Sequence, residues 1–186
     1  MRRALTCLAA AVLLSGCGND RTPAPDVSII GAPGGFRTVQ FPKTGVSLRA
    51  PAKWSQAAGE GSRLATFSAG DAQIAIWRYA RTEPLPETRA QLDATRKSLI
   101  AQVRARDPTF DLTSSRLVLR SGKRAVELTG VGTNQGVQRS IRSLHTYGHK
   151  AELVVDAFAP TEDFPRVDEQ TFRRVLRSAR LRAPRD

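Results

Sequence analysis

Cysteine is almost absent from the chain. The 186 residues include two cysteines, Cys7 and Cys17, and both lie near the N-terminus. The rest of the chain therefore has no thiol with which to form a disulfide, to bind zinc through sulfur or to attack a substrate. After the first 35 residues about 150 remain, which is enough for one domain with a substantial hydrophobic core. The stability of that domain has to come from its core.

The sequence also lacks the motifs of common catalytic sites. It contains no G-x-S-x-G and no S-x-x-K, and Gly130-Val131-Gly132 lacks the third glycine of a dinucleotide loop. Only two histidines are present, His145 and His149. They fall on a strand and in the turn after it, with Glu152 as the one nearby acid, so we expect no metal site and no cofactor.

Three acidic residues on predicted strands leave two interpretations open: Glu127, Glu152 and Asp156. They could supply the carboxylate pair that many hydrolases use. Arginine neighbours on alternating strand faces explain them more simply as ion-paired residues. We therefore predict no catalytic residue and, as the leading expectation, no enzyme, with a hydrolase as a remote alternative.

The N-terminus has the pattern of an export signal. Arg2 and Arg3 precede an apolar stretch over 4–14 that is too short to cross a bilayer of about 30 Å as a helix. Leu14-Ser15-Gly16-Cys17 then resembles the lipobox of bacterial lipoprotein precursors. We expect cleavage between Gly16 and Cys17 and lipidation of Cys17, palmitate included. An ordinary cleaved signal, or an unmodified Cys17, is the alternative.

The leader divides the chain into three parts. Residues 1–16 form the predicted lipoprotein signal peptide, residues 17–35 a flexible tether rich in glycine, proline and polar residues, and residues 36–182 a single domain. Several acyl chains, at about 0.8 kcal/mol per buried CH₂, would hold such a protein stably at a membrane. We expect it to be lipid-anchored at the extracytoplasmic face of the cell membrane.

The chain is strongly basic. It has 29 Lys and Arg against 17 Asp and Glu, for a formal net charge of +12, and most of the basic residues are arginine. Codon bias in a GC-rich genome, such as an actinobacterial one, explains this composition, and attraction to anionic lipid headgroups or envelope polymers is the functional alternative. Nucleic acid is not an expected partner, because the basic residues are not interleaved with aromatics in one block.

The apolar pattern predicts an α+β fold in which helices pack on an antiparallel sheet. Period-two alternation and turn residues predict strands over 36–41, 46–50, 64–68, 73–79, 112–120, 124–131, 138–147 and 151–159. Strand 73–79 has apolar groups on both faces, which is typical of an interior strand. One helix is predicted to begin at Pro84–Glu87 and end near Asp107, and a second to span 163–179.

Several short motifs resemble those of the PsbP/Mog1-like superfamily, and within it the actinobacterial lipoproteins of the LpqN type. They are Gly45-Val46-Ser47-Leu48 followed by Pro51 and Trp54, Ser121-Gly122-Lys123-Arg124-Ala125 running into Glu127-Leu128-Thr129, and Ala159-Pro160 ahead of Phe172-x-x-Val175-Leu176-x-Ser178. The resemblance covers about residues 36–182. It implies an α/β/α sandwich that serves as an accessory to membrane or envelope assemblies, in some members cell-wall lipid export machinery. It carries over no catalytic residues.

Aromatic residues are the candidates for contact with a ligand or partner. Trp54, in a loop after Pro51, is expected to be exposed, Tyr79 and Tyr147 are further candidates, and Trp77 is expected in the core. The function that follows is a non-enzymatic binding or accessory module with an envelope protein or lipid as partner. A carrier of a lipid or other apolar ligand is the alternative. The oligomeric state stays open.

Overall fold

Ten β-strands, two longer helical regions and one 3₁₀ turn (Pro42–Thr44) are the regular elements of the part of the chain that the structure describes. The structure is a computed structural model, and it describes residues 29–120, 122–134 and 136–185. The strands are β1 (Phe36–Phe41), β2 (Val46–Pro51), β3 (Ser55–Ala58), β4 (Arg63–Ala69), β5 (Ala72–Ala80), β6 (Asp111–Arg120), β7 (Lys123–Asn134), β8 (Val137–Gly148), β9 (Ala151–Pro160) and β10 (Arg180–Leu181).

Seven strands form the large sheet, in the order β3-β4-β5-β9-β8-β7-β6. Every neighbouring pair is antiparallel. Short turns join the hairpins, and the β8–β9 turn consists of His149 and Lys150, with φ values of 51° and 52°. Two consecutive positive φ angles are the geometry of a type I′ hairpin turn. At the centre of the sheet β5 pairs with β9, although helix α1 and three strands separate them in the chain.

The small sheet lies over one end of the core. Its order is β1-β2-β10, and β10 brings the C-terminal residues against β2. Alternate residues of β2, among them Val46 and Leu48, are buried together with Ile74 and Ile76 of the large sheet. Each element presents one apolar face to this shared core, as the period-two pattern requires.

Helix α1 (Arg89–Arg106) covers part of the opposite face of the large sheet. A capping box starts it: Thr88 Oγ1 accepts a hydrogen bond from the Gln91 amide at 3.2 Å, and the Gln91 side chain accepts from the Thr88 amide at 3.0 Å. Leu92 is its fully buried residue, packed with Val126 and Leu128 of β7. The helix ends at Asp107, whose amide still bonds Val103 O, because Pro108 follows.

The C-terminal helix packs on the core face and contains a wider turn. It consists of α2 (Phe164–Val167), a π-helical turn (Asp168–Phe172) and α3 (Arg173–Ser178). Phe172, Val175 and Leu176 are buried in the main core. A π-helical turn inserts one residue into the helix, so residues five apart line up, and such turns occur frequently at functional sites.

The predicted α+β class is confirmed: α1 and the C-terminal helix pack on opposite faces of an antiparallel sheet. The eight predicted strands and both helices are present, and β5 is an interior strand as expected. The sequence missed β3, whose four residues are all exposed, and the two-residue β10. Among the described residues no helix is long and apolar enough to cross a membrane.

The last part of the predicted tether is docked on the domain. Ile30 is buried in the main core, while Ile29 is exposed. The amides of Ala52 and Lys53 donate to Gly35 O and Pro33 O, both at 3.0 Å. Residues 30–35 therefore belong structurally to the domain. The domain extends further towards the N-terminus than the expected boundary at residue 36. The predicted tether up to residue 28 and the predicted signal peptide lie outside the described residues.

Candidate functional site: an arginine-lined cavity

The predicted processing site lies outside the part of the chain that the structure describes. Gly16 and Cys17 both precede residue 29. Cleavage between them and lipidation of Cys17 therefore stay predictions from the sequence.

Trp54 is a core residue, so the expectation that it is exposed is wrong. Its exposed fraction is 3%. The indole meets the Phe172 ring edge-on, with centroids 6.1 Å apart, and its Nε1 donates to Gly31 O at 3.2 Å. The physical reason is that residues 31–35 fold back over the loop after Pro51, which turns the ring inwards.

Tyr79 and Trp77 lie side by side on β5, on the face that carries α1. Their rings stack with centroids 6.2 Å apart, and the Arg63 guanidinium lies 5.5 Å from the Trp77 ring centre. Trp77 is half-buried and not in the core. The reason is that α1 packs on β6 and β7 at the far end of this face and leaves this part of β5 partly uncovered. Tyr79 is 37% exposed. Its contact with a ligand or partner stays a prediction.

Tyr147 belongs to a polar network between β8 and β9. Its hydroxyl donates to Glu152 Oε1 at 3.1 Å, and the same oxygen lies 2.7 Å from His145 Nδ1. The other ring nitrogen of His145 lies 3.0 Å from Ser143 Oγ, and the Ser143 hydroxyl donates to Asp156. Alternate residues of two paired strands thus share one hydrogen-bonded cluster.

The pKa values of two carboxyl groups in this network are shifted in opposite directions. Burial opposes ionisation of Glu152, but hydrogen bonds from His145 and Arg81, together with the positive charge of Arg81, outweigh it and lower the pKa of Glu152 to about 2. Burial raises the pKa of Asp156, although His145 and the Ser143 hydroxyl oppose the rise. Burial also raises the pKa of Tyr147, so its phenol stays a donor.

The order Ser143–His145–Glu152 follows that of a serine, histidine and acid triad, but its setting differs from a nucleophilic site. Ser143 lies in the middle of β8, between β7 and β9, where the ladders occupy the backbone amides. Its hydroxyl hydrogen points to Asp156. A nucleophile needs a base for that hydrogen and free donors for the oxyanion. The geometry therefore supports a hydrogen-bonded network that joins the two strands. Within the described ranges no three His, Asp or Glu side chains are grouped to hold a metal.

Tyr147 also borders an open surface cavity of about 360 Å³ at the β6–β7 turn. The cavity lies against Pro86 and Glu87, before α1, and against Lys123 and Arg124 at the start of β7. Arg124 Nη1 donates to the Glu87 carbonyl and so joins its two sides. A contact role for Tyr147 stays a prediction.

A second cavity, which we call the arginine cavity, lies on the other face of the sheet, beside the C-terminal helix. It measures about 230 Å³, and its lining consists of Arg116, Arg120, Glu127, Arg142, Arg173, Leu176 and Arg177. Strands β6, β7 and β8 supply four of these residues and α3 supplies three. The cavity therefore forms where the edge of the large sheet meets the last helix.

Glu127 is the first of two buried carboxylates that hold the guanidinium groups. Its Oε1 accepts from Arg116 Nε at 3.0 Å and from Arg142 Nη1 at 2.8 Å, and its Oε2 accepts from Arg120 Nη2 at 2.7 Å. Arg116 and Glu127 are direct cross-strand neighbours. The interpretation of Glu127 as an ion-paired residue is therefore confirmed.

Asp168 is the second carboxylate, and the π-helical turn places it. Its Oδ1 accepts from Arg142 Nε at 2.6 Å and its Oδ2 from Arg142 Nη2 at 2.8 Å, which is a two-point pair. Its Oδ2 also accepts from Arg173 Nε at 2.9 Å. Because Arg173 follows Asp168 by five residues, the wider turn aligns the two side chains, and Arg173 lines the cavity.

Positive charge is in excess around the arginine cavity. Five guanidinium groups line it against the carboxylates of Glu127 and Asp168, which leaves three positive charges uncompensated. Burial opposes ionisation of Glu127, but the hydrogen bond and charge of Arg116, with the charges of Arg142 and Arg120, lower its pKa. Burial likewise opposes the charge on Arg142, and Asp168 and Glu127 raise its pKa. Glu127 and Arg142 thus stay charged across the physiological range.

The fold matches that of several solved structures. Cyanobacterial PsbP (CyanoP) from Synechocystis sp. PCC 6803 superposes with a TM-score of 0.63 at 12% identity, over 80% of this chain and 94% of that one. LpqN of Mycobacterium tuberculosis, described as involved in cell envelope biogenesis, superposes with a TM-score of 0.55 at 15% identity, over 77% and 88%. The chain has the PsbP-like fold, which it shares with LpqN. This confirms the fold that the sequence motifs implied.

The PsbP-like fold also occurs in a protein of unknown function from Pseudomonas aeruginosa, PA94, described as a putative regulator. That structure superposes with a TM-score of 0.52 at 17% identity, over 82% of this chain and 99% of that one. No family model and no curated protein sequence matches the chain. At these identities the likeness establishes the PsbP-like architecture, and any function has to be argued from the site.

Sequence reasoning missed the arginine cavity of this PsbP-like domain. One signal was present: Arg116 and Arg120 are spaced to lie on one face of β6, and Glu127 falls opposite Arg116 if the hairpin turns at residues 121–122. No pattern in the sequence indicated that Arg142 and Asp168 belong to the same site. Arg142 comes from β8 and Asp168 from the C-terminal helix, and only the fold brings them together with Glu127.

Proposed function

We propose that the protein is a lipid-anchored, non-enzymatic binding or accessory module of a membrane or cell-wall assembly, held at the outer face of the cytoplasmic membrane through Cys17. The observation that carries the binding role is the arginine cavity, in which three surplus positive charges line a recess of about 230 Å³. Four of its five guanidinium groups are paired with buried carboxylates, and positioned donors of this kind are what recognition requires.

The location is supported by two independent features. The lipobox-like sequence ending in Gly16-Cys17 follows a charged and apolar leader. LpqN, which has the same fold, is described as involved in cell envelope biogenesis. Together they favour an envelope partner over a cytoplasmic one.

The alternative function, a carrier of an apolar ligand, finds less support in the packing. The space between the large sheet and the C-terminal helix is filled by Phe67, Phe172 and Leu176, which are fully or almost fully buried. The two cavities described above have charged linings. An apolar ligand would have to displace core side chains or lie against arginine.

Crosslinking in living cells followed by mass spectrometry tests the proposal. Wild type, Cys17→Ala and the matched control Cys7→Ala are compared, since the second change alters the other cysteine of the leader. We expect a discrete envelope partner in wild type and Cys7→Ala, with loss of both the membrane fraction and the partner in Cys17→Ala. A Cys17→Ala protein that stays in the membrane with the same partner would overturn the anchor. Robust hydrolytic activity of the purified protein would overturn the non-enzymatic role.

A further inference from the structure

We propose that the arginine cavity binds a phosphate group, either as free phosphate or as a phosphate monoester such as a lipid or sugar headgroup. This inference rests on the proposed binding role, for which it names the ligand class. It does not depend on the anchor at Cys17.

The first argument is the charge that the cavity has available. Arg177 lines the cavity, and in the described part of the chain no carboxylate lies within 4 Å of its guanidinium. Arg116 and Arg173 are paired on one side and have side chains that are 59% and 51% exposed. Three arginines at the mouth of the cavity therefore keep donors free for an anion from solvent.

The second argument is that four of the five arginines are held by carboxylates before any ligand arrives. Glu127 and Asp168 bind Arg142 between them and fix Arg120 and Arg173 at the two ends of the network. Arg120 lines the cavity, and its buried Nε has no hydrogen-bond partner among the described residues. A buried donor without a partner is costly, and a small shift of this guanidinium towards an anion in the cavity would give it one.

The third argument distinguishes phosphate from a single carboxylate. Three surplus positive charges match a phosphate monoester, which carries about −1.5 to −2 at pH 7, better than a carboxylate of charge −1. The planar guanidinium fork binds phosphate oxygens in pairs, and several forks around one centre suit a tetrahedral anion. A volume of about 230 Å³ also leaves room for a few ester carbons beside Leu176.

Isothermal titration of the full-length protein with inorganic phosphate at low ionic strength tests the site. The variants are Arg177→Gln and Arg116→Gln at the cavity and Arg104→Gln on α1, an exposed arginine on the other face of the sheet that removes the same charge. We expect saturable binding in wild type and Arg104→Gln, and a loss of affinity of about tenfold or more in each cavity variant, since a charge-assisted hydrogen bond is worth about 1.5–3 kcal/mol. Thermal unfolding without phosphate shows that each variant is folded.

The outcomes separate the ligand sources and the two proposals. Titration with glycerol 3-phosphate, a soluble lipid headgroup, is run in parallel. Equal or tighter binding than inorganic phosphate indicates a phosphate monoester, and binding of inorganic phosphate alone indicates the free anion. Equal weakening in all three variants, or no saturation in wild type, would overturn the site as a phosphate site. Neither result changes the crosslinking outcome for Cys17→Ala, so failure here leaves the envelope role to be judged separately.

Discussion

Arg142 joins the two buried carboxylates of the cavity, and its replacement by methionine is expected to destabilise the fold strongly. The change removes three charge-assisted hydrogen bonds, at 2.6, 2.8 and 2.8 Å. Glu127 keeps Arg116 and Arg120, but the buried Asp168 is left with Arg173 alone. Breaking a buried pair by removing one partner costs about 3–5 kcal/mol, because the remaining charge stays buried.

The same reasoning predicts strong coupling between Arg142 and Asp168. The double variant Arg142→Met/Asp168→Leu removes both members of the pair, so we expect its loss of stability to be smaller than the sum of the single losses by about 1–3 kcal/mol. The exposed pair Arg166–Asp163, at 2.7 Å, is the matched control. The cycle Arg166→Met and Asp163→Leu should show a coupling of at most about 1 kcal/mol.

Urea unfolding of the four proteins in each cycle, monitored by tryptophan fluorescence, measures these free energies. In a chain of this length a loss of about 3–5 kcal/mol corresponds to a fall in Tm of roughly 6–20 °C. An Arg142→Met protein that loses less than about 1 kcal/mol of unfolding free energy would show that the pair does not hold the helix to the sheet. A double variant whose loss equals the sum of the two single losses within about 0.5 kcal/mol would show the same.

Three further predictions concern other parts of the fold. The pKa of Glu152 is lowered to about 2, so its carboxylate stabilises the fold above pH ~4.5 and loses that contribution as the pH falls towards 2. The stability advantage of wild type over Glu152→Gln, up to about 3 kcal/mol at pH 7, should therefore shrink in urea unfolding at pH 3, and a difference independent of pH would contradict it. Trp54→Ala should cost about 3–5 kcal/mol in the same assay, whereas an exposed Trp54 would cost little. Thr88→Ala removes the capping box of α1 and should cost about 1 kcal/mol, with the exposed Thr82→Ala as a control that should cost less than about 0.5 kcal/mol.

The parts of the fold that could be predicted from the sequence are those with a local signal. Alternating apolar residues predicted β5 and β9 as strands, apolar groups on both faces of β5 predicted an interior strand, and Pro108 predicted the end of α1. Strand β3, with the sequence Ser-Gln-Ala-Ala, has no large apolar residue and lies at an exposed edge, so no alternation marks it. It forms because β4 offers it a partner.

The candidate site was less predictable, because its residues come together from distant parts of the chain. Arg116 and Asp168 are separated by three strands, and a π-helical turn, which no simple periodicity indicates, sets the position of Asp168. The arginine content also has an explanation in codon usage, and this conceals the few arginines that have specific partners. Trp54 was misjudged because its burial depends on residues 31–35, which the sequence assigned to a tether.

The pairing of β5 with β9 determines the order in which the chain can fold. Until β9 has been synthesised, β5 lacks its partner on one side, and the core face that includes Ile74 and Ile76 cannot be closed. The small sheet is completed later still, because β10 comes from the last residues of the chain. Such long-range pairings slow folding and leave strand edges open to other chains in the meantime. A protein truncated before residue 151 would retain separate hairpins with exposed edges, and we expect it to aggregate.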